Sequence, residues 1–98
     1  MFTHIAIHTP KPEYRQDVID SMQRAADAGV GAAGLIQMGP WQEIEGGRLV
    51  GLAIWESEEA FLAAAPGIFS VVSEDPFDLW EDEPIISLKL TEAQRVGG

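Results

Sequence analysis

The sequence predicts an α+β domain of order β-α-β-β-α-β, the ferredoxin-like split βαβ arrangement on one antiparallel sheet. Three observations predict it. Apolar residues alternate between period two and period 3.6 along the chain in that order. Gly46-Gly47 separates two strand-like runs and suits a two-residue hairpin turn, which makes those strands antiparallel neighbours. Arg48–Ala65, RLVGLAIWESEEAFLAAA, runs as a strand into Trp55 and turns at Ser57 straight into a helix.

The first strand is Phe2–Thr9. Phe2, His4, Ala6 and His8 share one face, and Thr3, Ile5, Ile7 and Thr9 the other. Pro10 and Pro12 end it, and Pro12 suits a first helical turn. Glu13–Ala28 reads as a helix with an apolar stripe of Tyr14, Val18, Met22 and Ala25, widened by Ile19 and Ala26. Gly29 is the expected C-cap. Gly29–Gly34, GVGAAG, matches G-x-G-x-x-G literally. A phosphate loop must follow a strand and open a helix, whereas these glycines follow a helix and precede a strand, so the segment is a loop.

Leu35–Ile44 is the second strand, with Gly39-Pro40 marking a bulge, a bend or an edge position. The third strand is apolar on both faces: Val50, Leu52 and Ile54 alternate with Leu49, Gly51, Ala53 and Trp55. Ser57 is the N-cap of the second helix, and Glu58 and Glu59 complement its dipole. That helix is expected to break near Pro66-Gly67, with Ile68–Val72 as a separate short helical piece. Ser73–Pro84 is expected to be a solvated acidic loop carrying Phe77, Leu79 and Trp80. Ile85–Leu90 is the last strand. Residues 1–91 form the domain, and 92–98 are expected to be a flexible tail.

The composition excludes several functions. The 98 residues contain no cysteine, which removes disulfides, thiolate nucleophiles and thiolate metal sites. The net charge of −10 leaves no basic footprint, so neither nucleic acid nor an anionic membrane surface is an expected partner. Apolar runs are too short for a membrane span, no signal peptide is visible, and the expected location is the cytoplasm. The acids Glu74, Asp75, Asp78, Glu81, Asp82 and Glu83 lack the spacing and turn glycine of a calcium loop. The terminal Gly97-Gly98 resembles the end of a sulfur carrier, but those folds begin with a β-hairpin and this chain begins β-α-β.

With both helices on one side of the sheet, the other side needs a cover. The third strand is apolar on that side, and Leu88 and Leu90 add to it. A homodimer closed by sheet-face packing is the expected solution.

The opening strand followed by PKPEY and a helix, the Gly51-Leu52 strand, and above all A-I-W-E-S-E-E-A-F resemble the antibiotic biosynthesis monooxygenase family. The resemblance covers about residues 1–90, and it implies a dimeric α/β barrel with a pocket between sheet and helices. It also implies oxygenation of a small aromatic or apolar compound by O₂ without metal, flavin or nicotinamide, or haem breakdown in one branch. That branch resembles a constellation of Asn, Trp and His, whose positions here fall at Ala6, Ala64 and near Glu74. Haem breakdown is therefore disfavoured. Many members also carry a His on the second helix, where this chain continues L-A-A-A-P.

The candidate bases are therefore His8 and His4, the only histidines. They stand about 13 Å apart on an extended strand, too far to share one metal ion. His8, nearer the strand's exit, is the stronger candidate; an ordinary structural hydrogen bond is the competing role for either. The expected pocket wall is Ala6, Met22, Trp41, Phe61, Ala64 and Phe69. Trp55 is expected in the core or a dimer contact, and Trp80 over the pocket or on a partner subunit. Two functions follow: a cofactor-independent monooxygenase with His8 as base, or a non-catalytic ligand-binding or interaction dimer of the same fold. A helix-side pocket that is open and polar favours the catalytic reading, and one filled by Met22, Phe61 and Phe69 favours the non-catalytic one.

Overall fold

A computed structural model describes residues 1–94. The elements are β1 (Phe2–His8), α1 (Arg15–Gly29), β2 (Leu35–Gln42), β3 (Leu49–Trp55), α2 (Glu58–Ser70), α3 (Phe77–Trp80) and β4 (Ile86–Thr91), with a 3₁₀ turn at Pro12–Tyr14 ahead of α1. The four strands form one antiparallel sheet in the order β2-β3-β1-β4. This is the split βαβ topology that the element order predicts. The last four residues, Gly97-Gly98 among them, lie outside the described residues. Glu92, just beyond β4, pairs with the N-terminal amine at 2.9 Å.

Register decides the two faces. Phe2 pairs with Trp55, His4 with Ala53, Ala6 with Gly51 and His8 with Leu49, which aligns the even-numbered residues of β1 with the buried side of β3. The core beneath the helices gathers Phe2, Ala53, Trp55, Phe61 and Ile68. A second cluster joins Val18, Met22 and Leu49 and is flanked by Ile19 and Trp80. Trp55 is 1% exposed, and its indole Nε1 has no partner. A sealed, unpaired donor of this kind costs about 1–3 kcal/mol, which the buried ring surface must outweigh.

Ser57 caps α2 as its sequence position implies: its Oγ accepts from the Ala60 amide at 3.1 Å. The helix then differs from expectation. It does not break at Pro66 but continues to Ser70, so Ile68–Ser70 belong to it. Pro66 removes the donor to the Leu62 carbonyl, yet both residues lie on the solvent side, where water can take that bond. Ile68, on the opposite side, is buried and holds the last turn to the core.

Three turn readings also change. Gly29 is the last residue of α1 and not a left-handed cap. A Cβ there would meet Met38 Sδ at 3.1 Å, so glycine allows the helix to approach β2 closely. Between α1 and β2 the positive φ angles fall at Gly31 and Gly34. The β2–β3 turn is longer than two residues, because Glu43 N–H still donates to Arg48 C=O at 2.9 Å. Ile44–Gly47 form the loop, with Gly46 and Gly47 both at positive φ. β2 is an edge strand, as Pro40 implies, but its register shift lies between Leu35 and Gln37 and not at Gly39-Pro40.

The acidic segment is more ordered than a solvated loop. Phe77–Trp80 form a helical turn, α3. Backbone bonds strap its end onto the exit of β1: Lys11 N–H donates to Trp80 C=O at 2.8 Å, and Asp82 N–H to Thr9 C=O at 2.9 Å. Phe77 and Trp80 pack edge to face with ring centroids 5.6 Å apart. No described helix is long and apolar enough to cross a membrane.

Candidate active site

A cavity of about 380 Å³ lies between the sheet and the helices. Its floor is the even-numbered side of β1: His4, Ala6 and His8. Small residues make the room, since Ala6 pairs with Gly51 on β3 and leaves a gap between the two histidines. Met22 comes from α1, Phe61 and Phe69 from α2, and Phe77 from α3. The lining is overwhelmingly apolar, as a site for a small aromatic compound requires.

Six of the eight residues chosen from sequence therefore meet at one cavity: His4, Ala6, His8, Met22, Phe61 and Phe69. Trp41 does not. It pairs with Val50, whose other neighbour in the register is Ile7, so it stands on the face away from the helices and is 53% exposed. Ala64 is not in the lining either; it packs against the core cluster around Phe61 and Ile68. Trp80 neither covers the cavity nor stands free, because it packs beside Val18, Met22 and Leu49.

The two histidines have different surroundings. His4 Nε2 lies 2.9 Å from Ser87 Oγ, and its ring is 5.2 Å from that of Phe61. Burial, and secondarily the Lys89 cation, hold its pKa below the ordinary histidine value. His8 is 6% exposed, and its Nδ1 lies 2.8 Å from Glu81 Oε2. Glu81 is also 6% exposed, and its other oxygen accepts the Thr9 amide at 3.0 Å. Among the described residues the only sealed side-chain N or O without a partner is Trp55 Nε1. His8 Nε2 has no hydrogen-bond partner among the described residues and is not a sealed atom, and His8 lines the cavity.

Glu81 is the residue that sequence reasoning misplaced, by grouping it with the solvated acids. The signal was F-D-L-W-E, in which apolar Phe77 and Trp80 imply a turn that docks. Nothing in the spacing says which acid turns inward. Ser21, Met38 and Ser87 also line the cavity and were not anticipated. Among the described residues no three His, Asp or Glu side chains gather in a metal-ligand group.

Residues 1–65 match the family model described as antibiotic biosynthesis monooxygenase. The chain belongs to that family. The match includes β1, α1 and the Trp55–Ser57 corner; Glu81 lies beyond it. Among solved structures, Rv0793 from Mycobacterium tuberculosis superposes with a TM-score of 0.80 at 14% identity, covering 98% of each chain. SnoaB, a cofactor-independent oxygenase from Streptomyces nogalater solved as a mutant, gives a TM-score of 0.75 at 16% identity, covering 99% of this chain and 97% of its own. A mutant of MhuD with two manganese protoporphyrin IX molecules per active site gives 0.73 at 19% identity, covering 100% of both. At these identities the likeness is one of fold. No curated protein matches the sequence.

Proposed function

We propose that this antibiotic biosynthesis monooxygenase family member is a cofactor-independent oxygenase of a small, electron-rich aromatic compound, with His8 as the base. One observation carries the reading: His8, whose Nε2 has no partner among the described residues, lines a cavity walled by Phe61, Phe69 and Phe77. Substrate rings pack on those aromatic walls. His8 Nε2 takes a proton from an acidic CH₂ of the substrate. The carbanion adds O₂, the peroxide takes the proton back from His8, and its O–O bond breaks with loss of water to leave a carbonyl. The apolar walls keep bulk water away from the carbanion. SnoaB, a cofactor-independent oxygenase of the same fold, supports this reading.

Ala6 and Ala64 stand where the haem-degrading branch is expected to carry Asn and Trp, and this argues against haem as the substrate. A ligand-binding dimer is the second reading. It is favoured by α2, whose Ala63-Ala64-Ala65 offers no acid or base. Met22, Phe61 and Phe69 border an open volume and do not fill it, but its lining is apolar, so the cavity meets the catalytic expectation in openness and not in polarity.

The proposed assembly is a homodimer closed through the helix-free sheet face. Trp41, Ile86, Leu88 and Leu90 are 53%, 46%, 41% and 44% exposed on that side, an apolar patch of the kind that marks an interface.

The function is tested by oxygen uptake with anthrones and hydroquinones, comparing wild type with His8→Ala. Substrate-dependent uptake that the variant loses is the expected result. Uptake equal in both proteins would remove His8 from the chemistry. Binding without uptake would leave the second reading.

A further inference from the structure

We infer that Glu81 is the positioning residue of this site: its carboxylate holds the His8 proton on Nδ1 and turns an unprotonated Nε2 toward the cavity. A backbone amide can only donate, so the Thr9 N–H makes Glu81 Oε1 an acceptor at 3.0 Å. An ionised carboxylate accepts on both oxygens. The 2.8 Å contact from Oε2 to His8 Nδ1 then requires the proton to reside on the ring.

Glu81 has little freedom to leave. Its own amide donates to the Phe77 carbonyl at 2.9 Å, and its backbone bridges Pro10. The flanking bonds from Lys11 to Trp80 and from Asp82 to Thr9 close the strap on both sides. The Phe77 ring, 5.8 Å from the His8 ring, limits rotation of the imidazole. A buried carboxylate so placed has two effects. It selects the tautomer, and it faces the positive charge that the ring acquires on taking a proton. The tautomer assignment rests on this geometry with Glu81 as a carboxylate; its catalytic consequence rests on the oxygenase reading above.

The test is ¹⁵N NMR of the full chain, assigning the neutral His8 tautomer in wild type and in Glu81→Gln. A glutamine has one acceptor oxygen, which the Thr9 amide claims, so its NH₂ group faces His8 Nδ1. Wild-type His8 should carry its proton on Nδ1, and the variant's on Nε2. A wild-type proton on Nε2 overturns the inference, and this arm stands even if the variant does not fold. An unchanged tautomer in the folded variant also overturns it. Oxygen uptake separates the two proposals. The expected loss in Glu81→Gln is on the order of 100-fold in kcat with KM nearly kept. A switched tautomer with undiminished uptake keeps the positioning role and rejects His8 as the base.

Discussion

His4 Nε2 lies 2.9 Å from Ser87 Oγ, which ties the helix-facing side of β1 to β4 beside the cavity. Lys89 is the cross-strand partner of His4, so a fixed cation sits beside a ring that burial already keeps neutral. The native pKa is therefore below the ordinary 6.5. As pH falls through that value, the unfolded chain takes the proton before the native one does. The His4 contribution to stability is thus present above about pH 6.5 and declines as acid drives the native ring to charge. His4→Gln should lose less stability than wild type between about pH 7.5 and about pH 5, measured as the shift in urea midpoint. An identical shift in both proteins would count against this account.

Gly34 meets α2 at closer quarters than any other described glycine meets its surroundings. Its φ is +83°, and a Cβ there would lie 2.6 Å from Ala60 Cβ. Its carbonyl also accepts the Glu56 amide at 2.8 Å, at the corner that launches α2. Gly31 has the same φ but open space around it. Gly31→Ala should cost about 1–2 kcal/mol from backbone strain alone. Gly34→Ala should cost more, by about 1–3 kcal/mol of overpacking. Chemical denaturation of the pair separates the two effects, and equal losses would refute the contact argument.

The Ser57 cap offers a smaller, cleaner measurement. Ser57→Ala leaves the Ala60 amide without its side-chain acceptor. The expected loss is about 1 kcal/mol, and Ser57→Asp should restore most of it. No recovery with Asp would mean that the hydroxyl acts through something other than capping.

The helix-free face predicts an oligomer that a single charge can open. Leu88 is 41% exposed on that face, opposite Ile5 of β1. Leu88→Asp should yield monomers by light scattering at micromolar concentration while circular dichroism stays unchanged. A wild-type chain that is itself monomeric would end the dimer proposal.

The cavity depends on Ala6 and Gly51, which face one another across β1 and β3. Ala6→Leu places a branched side chain in the cavity between His4 and His8. Binding of a naphthol probe, followed by fluorescence, should weaken at least about tenfold, or 1.4 kcal/mol. Undiminished binding would locate the ligand elsewhere.

The sequence by itself determined the element order, the antiparallel topology and the two faces of the sheet. Each of these depends on local periodicity: alternation along β1 and β3, a helical stripe on α1, a cap at Ser57. It also brought His4, Ala6 and His8 to one face, because period two leaves no alternative. Tertiary structure alone decided what lies farther apart in the chain. Glu81 reaches His8 across 73 residues, and six acids in one loop look alike until packing turns one of them inward. Trp41 moved to the open face because the register of β2 follows from its pairing with β3 and not from the bend at Pro40. Pro66 failed to end α2 because burial of Ile68 outweighed one missing bond on the solvent side. Local patterns set which elements form; contacts between distant segments set which side chains meet.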